Sequence, residues 1–279
     1  MTLPSFIGIG AERCGTTWLH LLLRQHPKVY MPSRRKELDF FNRNYDKGRE
    51  WYESFFPDPQ DAVAYKAIGE ISPGYLGFPE AAERMASVQS IRKLIAILRN
   101  PVDRAYSHYG HAIRLRGYDK SFEEFLNDHP DSLTHGFYAK NLERFLKYYS
   151  RDQLCCLIFE EAINDIASTK KDIAQFLEIN PHEFPDTAVS NKTNETYIPK
   201  FKKLNRSVTQ ISTYLRNSNL DWLVNLAKTA GFQKVLKIGA VHGLPPMRME
   251  TRLCLQETYA RDTETLENLL GINLDIWRN

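Results

Sequence analysis

Apolar residues along this chain alternate between two periods. Phe6-Ile7-Gly8-Ile9 is a short apolar run that ends in a turn punctuated by Gly10 and Gly15. From Thr16 the spacing changes. Trp18, Leu19, Leu22 and Leu23 recur on one helical face, and the helix should stop near His26-Pro27, because a residue before proline avoids helical backbone. Lys28 to Met31 reads as a short extended piece, Lys47 to Phe55 as a helix with Trp51, Tyr52 and Phe55 on one side, and Ala64 to Gly69 as a strand. Leu94 to Leu98 is continuously apolar, as a strand covered on both faces must be. Asn100 and Pro101 follow it as cap and first-turn proline of a helix. On that helix Ala105, Tyr109, Ala112 and Ile113 are expected against the sheet, while Arg104, Ser107, His108 and His111 share a polar face. A helix from Phe137 to Tyr149, a strand from Gln153 to Phe159 and a long helix from Glu250 to Leu270, stopped by Gly271, complete the pattern.

Strands alternating with helices at this rhythm predict an α/β fold, a central parallel sheet with helices on both faces. At 279 residues the chain suits a single large domain. Apolar residues at 42% and charged residues at 25% are ordinary globular values and leave the fold class unchanged. A net charge of +3 is too small to argue for nucleic acid, but its distribution is uneven. From Tyr197 to Arg248 nine Lys or Arg stand against one acid, Asp221, which suits an anionic ligand as well as a plain soluble surface. No apolar stretch reaches membrane-spanning length, and the early first strand leaves no room for a cleavable leader. The four cysteines (Cys14, Cys155, Cys156 and Cys254) have no metal-binding spacing. A reducing, cytoplasmic setting is the expectation.

The turn Gly10-Ala11-Glu12-Arg13-Cys14-Gly15-Thr16-Thr17 carries the first candidate chemistry. Strand, glycine turn and helix start together point free amides and a helix dipole at an anion, although a tight turn without ligand fits the same residues. Against the phosphate loop G-x-x-x-x-G-K-[ST], Thr16 holds the lysine position, so a principal contact to a nucleoside triphosphate is missing; Arg13 is the turn's cation. A second anion contact is available where Arg99 ends the Leu94–Leu98 strand and Ser107 lies two helical turns on. A nucleotide kinase would want an acid near such a strand end for Mg²⁺, which weakens that reading again.

With both segments in view, the chain resembles sulfotransferases that use 3′-phosphoadenylyl sulfate (PAPS), in the pattern of the domains acting on heparan sulfate and their bacterial relatives. Arg13 to Leu19 resembles the family's 5′-phosphosulfate loop, K-x-G-T-T-x-L, with Arg13 in the lysine's place. Leu98 to Tyr109 resembles the 3′-phosphate motif, and Glu37-Leu38-Asp39-Phe40-Phe41 the E-x-x-F-F segment of the catalytic glutamate. Glu70-Ile71-Ser72-Pro73 resembles E-K-[ST]-P, with Ile71 where a lysine often sits. The resemblance implies a P-loop-like fold, with residues 1–180 as nucleotide-binding core and 181–279 as a segment covering cofactor and acceptor, ending in the last helix. It implies that Arg13, Cys14, Gly15, Thr16, Thr17 and Trp18 bind the donor's 5′ end, that Arg99 and Ser107 bind its 3′-phosphate, and that Lys192 contributes from a loosely matched loop. It implies Arg13 and Glu37 as catalytic residues, Glu70 as the alternative base, and His108 and His111 as supports. The implied reaction is metal-free, in-line sulfuryl transfer to a hydroxyl or amine; the basic stretch from Tyr197 to Arg248 suits an anionic glycan as acceptor, with a small hydroxylated metabolite or a lipid left open. A non-catalytic binder of adenosine 3′,5′-bisphosphate or of a sulfated polymer is the alternative.

Overall fold

The computed structural model describes residues 2–186, 197–198, 202–218, 220–229, 241–244 and 246–278. Five parallel strands form its sheet. β1 (Phe6–Gly10) is central, hydrogen-bonded on one side to β3 (Ala67–Ile71) and on the other to β4 (Lys93–Leu98). β2 (Val29–Tyr30) and β5 (Leu154–Ile158) lie at the edges, giving the order β2-β3-β1-β4-β5. Every residue of β1 and β3 is buried, as central strands covered on both faces are, Glu70 of β3 included. Gly8 lets the two strands close up, since a Cβ there would lie 2.5 Å from Ile71 Cγ1. The expected strand at Ala64 begins instead at Ala67: the amides of Ala64 and Tyr65 continue the preceding helical turn, bonding to the carbonyls of Asp61 and Ala62.

Topology places the site. The chain leaves β1 through α1 (Thr16–Arg24) toward β2, and leaves β4 in the other direction, toward β5. Because β1 and β4 are neighbours, their carboxyl ends bound a crevice of the kind that takes ligands in open α/β sheets. Right-handed crossovers in opposite directions put helices on both faces, as the alternation predicts.

Asn100 caps α2 (Pro101–Arg116), its side chain accepting from the Val102 amide at 3.0 Å. The apolar face of α2 is buried, but not against the sheet. Ala105, Tyr109, Ala112 and Ile113 form a second cluster with Phe122, Phe125, Leu255 and Tyr259. The reason is the other face: Arg104 is wholly buried and bonds the Ser132 carbonyl, and His108 is buried beside it. Thus the polar face turns inward and the apolar face receives other helices. α3 (Tyr138–Leu146) follows, then β5, then α4 (Lys202–Asn217) and α5 (Asp221–Thr229), which pack on each other. α6 (Met249–Leu270) ends at Gly271, whose φ of 67° makes the left-handed stop expected of it.

Candidate active site

The turn after β1 is built for an anion. Gly15 has φ 89°, a backbone that favours glycine, and a Cβ there would strike the Phe159 ring at 2.4 Å. No side chain caps α1, so its first-turn amides are available to a ligand, and the helix dipole adds to their pull. Arg13 stands beside them. Its Nε is buried without a hydrogen-bond partner among the described residues. Burial presses the guanidinium down to about 10, helped by Arg114 and opposed by Glu12 and Glu37. A buried cation with an orphaned donor is what an incoming anion would satisfy.

Two residues of this turn have narrower roles than their motif implies. The Cys14 amide bonds the Ala11 carbonyl at 3.3 Å, and its thiol is buried 3.4 Å from the Tyr138 hydroxyl. Burial pushes that thiol up, so Cys14 packs the turn rather than facing a ligand. The Trp18 side chain is in the core, which leaves its amide as the group able to contribute.

Arg99 ends β4 within reach of this turn. Its carbonyl accepts from the Tyr138 hydroxyl at 2.9 Å, so Tyr138 joins the Arg99 backbone to Cys14. Its guanidinium carbon lies 5.3 Å from the centre of the Phe159 ring, the ring that covers Gly15. Ser107 is half-buried two turns along α2. Arg99 and the Gly15 turn therefore share the Phe159 ring and the Tyr138 hydroxyl. Lys192 lies outside the described residues.

Glu37 projects from the loop after β2, its side chain 45% exposed. Lys36, which the local pattern does not single out, donates to Glu37 Oε1 at 2.7 Å and to the Thr17 hydroxyl at 2.8 Å. It brings an ammonium to the turn that lacks the usual lysine. Glu70 occupies a different place: it is wholly buried, its oxygens each accepting at 2.8 Å from the Ser72 and Tyr75 hydroxyls. Those hydroxyls in turn accept from the Asp39 and Phe40 amides at 2.9 and 2.8 Å, so Glu70 supports the Glu37 loop from beneath. Ile71 points into the core against Gly8. On the other side Arg35 makes a buried ion pair of 2.9 Å with Asp221, which ties the loop to α5.

The histidines are supports. Burial presses His108 to about 4 and His111 to about 3, with Arg104 and Arg13, respectively, pressing the same way, so both are neutral near pH 7. Glu12 stays ionised: burial would raise its carboxyl, but His135, His108 and Arg43 hold it at about 2.

Residues 4–221 match the sulfotransferase domain family, a span that contains both anion motifs and Glu37. The chain belongs to the sulfotransferase family. Among curated relatives of this sulfotransferase, the mouse bifunctional heparan sulfate N-deacetylase/N-sulfotransferase 4 is 36% identical over 203 residues, 64% of this chain and 23% of that protein. The human enzyme numbered 3 of the same series is 35% identical over 202 residues. A membrane-associated sulfotransferase of Dictyostelium discoideum is 36% identical over 137 residues, 47% of this chain and 29% of that protein. The sulfotransferase thus spans under a quarter of its heparan sulfate relatives. A solved sulfotransferase from Alicyclobacillus acidocaldarius superposes with a TM-score of 0.69 at 25% identity, over 100% of both chains. Among the described residues, no helix is long and apolar enough to cross a membrane.

Proposed function

We propose that this sulfotransferase moves a sulfuryl group from PAPS to a hydroxyl or amine, with an anionic glycan as the acceptor class. The observation that carries the reading is the link between Arg99 and the turn that holds Arg13, made by Tyr138 through Cys14 and by Phe159 through Gly15, with Lys36 bridging Glu37 to Thr17 of the same turn. The donor set fits a nucleotide phosphorylated at both ends: an orphaned buried Arg13 Nε and an uncapped helix start at one end, a second arginine at the other.

Sulfuryl transfer, like phosphoryl transfer, needs positioning and charge stabilisation more than covalent help from the protein. As the bond between sulfur and the bridging oxygen breaks, negative charge grows on the donor's 5′-phosphate. Arg13, the first amides of α1 and the Thr16 and Thr17 hydroxyls would hold that charge. Arg99 and Ser107 would hold the 3′-phosphate and so discriminate against ATP. Glu37 would take the proton released as the acceptor oxygen or nitrogen bonds to sulfur. Protein cations supply the charge that Mg²⁺ supplies in kinases.

Names of the relatives and the basic stretch from Tyr197 to Arg248 support a glycan acceptor. Four free thiols support a reducing, cytoplasmic setting. The test is incubation with PAPS and separate panels of glycans, small hydroxylated metabolites and lipids, read as acceptor-dependent release of adenosine 3′,5′-bisphosphate. Release with a glycan is the expected result. Tight binding of the bisphosphate without release to any acceptor would favour a non-catalytic binder, and ATP outcompeting the bisphosphate would overturn the donor assignment.

A further inference from the structure

The short helix Phe159–Asn164 begins directly after β5 and puts two adjacent side chains between the phosphate contacts. Phe159 lies flush on the turn: a Cβ at Gly15 would fall 2.4 and 2.5 Å from two of its ring carbons. The Arg99 guanidinium rests over the same ring at 5.3 Å. An aromatic face under a guanidinium retains the charge and leaves the N–H edges to point outward.

Glu160 fixes the backbone next to that arginine. One carboxylate oxygen accepts from the Asn100 amide at 2.9 Å, and the other from the Trp277 indole at 3.1 Å. Asn100 in turn donates to the Trp277 carbonyl at 3.0 Å while its side-chain oxygen caps α2. Asn100 and Trp277 are both buried. Thus the residue after Arg99 is clasped by segments 60 and 177 positions away in sequence. A cation so held loses little freedom on binding, which is where orientation yields affinity.

We propose that Phe159 and Glu160 act as a spacer that sets the span between the two phosphate subsites, and so select a nucleotide phosphorylated at both ends. Phe159 fixes the separation of Arg99 from the Gly15 turn, and Glu160, with Trp277, fixes its direction. Both are positioning residues. The inference rests on the donor reading above, and it adds a source of selectivity that the arginine and serine do not supply by themselves.

The test is calorimetric titration of the full chain with adenosine 3′,5′-bisphosphate and, separately, adenosine 5′-monophosphate. The readout is the ratio of the two affinities, which a general loss of structure would not move selectively. Phe159→Leu retains apolar volume but removes the ring, and Glu160→Gln replaces one of two acceptors with a donor. Each should lower the ratio about tenfold, the scale of one misaligned charge-assisted hydrogen bond, because the loss falls mainly on the bisphosphate. Trp277→Phe removes the indole N–H together with part of the ring while keeping an aromatic side chain in the core, and serves if Glu160→Gln does not fold. A ratio within about twofold of the parent in folded Phe159→Leu and Trp277→Phe, or an equal loss for both nucleotides, would overturn the spacer. A parent protein with no preference for the bisphosphate would instead overturn the donor reading, and the spacer with it.

Discussion

The Lys36 ammonium stands 2.8 Å from the Thr17 hydroxyl, so the loop that carries Glu37 reaches back to the turn that opens α1. The same nitrogen bonds Glu37 Oε1 at 2.7 Å. Lys36 is therefore placed to hold the base and to add charge where the family's lysine is replaced by Arg13. Lys36→Met should lower kcat on the order of 10²-fold, the usual effect of removing one preorganised charge contact. Lys36→Arg should restore part of it. Steady-state kinetics with PAPS decide the point, and an unchanged kcat in the methionine variant would remove Lys36 from the machinery.

Arg13 is the strongest test of the turn. Its guanidinium is buried, its Nε is orphaned, and Glu37 and Glu12 raise its affinity for the proton against the burial. Arg13→Ala should cost on the order of 10²-fold or more in turnover. Arg13→Lys should fall between the two, since an ammonium keeps the charge but loses the planar fork of donors. Single-turnover rates separate this from a change in product release.

Glu37→Gln should abolish transfer and leave binding of adenosine 3′,5′-bisphosphate intact. The carboxamide retains an acceptor for Lys36 but cannot take a proton at neutral pH. Parallel activity and calorimetry would show whether binding collapses too, the result expected of a purely structural residue.

The crevice was legible because its parts are local. A glycine turn before an apolar helix face, and an Asn-Pro cap after a continuous apolar strand, each announce themselves within a few residues. The apolar face of α2 misled because helical periodicity shows that a face is buried, not what covers it; here the cover is Phe122, Phe125, Leu255 and Tyr259. Phe159 and Glu160 left no local signal, and Tyr138 and Trp277 matched the family pattern without showing a role, since each acts on a partner far away in sequence. Lys36 could have been found. It is a cation next to the candidate base in a chain lacking two expected lysines, and only the fold shows that its reach ends at Thr17.

Glu70 makes a prediction about stability rather than turnover. Burial raises its carboxyl to about 8; the Ser72 and Tyr75 hydrogen bonds oppose the rise, and Asp39 and Glu37 add to it. An unfolded chain would lose that proton near the ordinary value of 4.5. Between these values the folded protein retains a proton that the unfolded one has released, so this contribution is fully present below 4.5 and lost as pH rises through about 8. Buried His20, His108 and His111 act with the opposite sign, but their ordinary value is 6.5, and above it they are neutral in both states. The window from 6.5 to 8 therefore isolates Glu70. Across it the unfolding free energy should fall by up to about 1.4 kcal/mol per pH unit, measured by denaturant titration at several pH values. Glu70→Gln has no proton to lose and should flatten the slope. A parent protein already flat in this window would mean that the Ser72 and Tyr75 hydroxyls satisfy Glu70 as an anion, and that the Glu37 loop rests on a charged support rather than a neutral one.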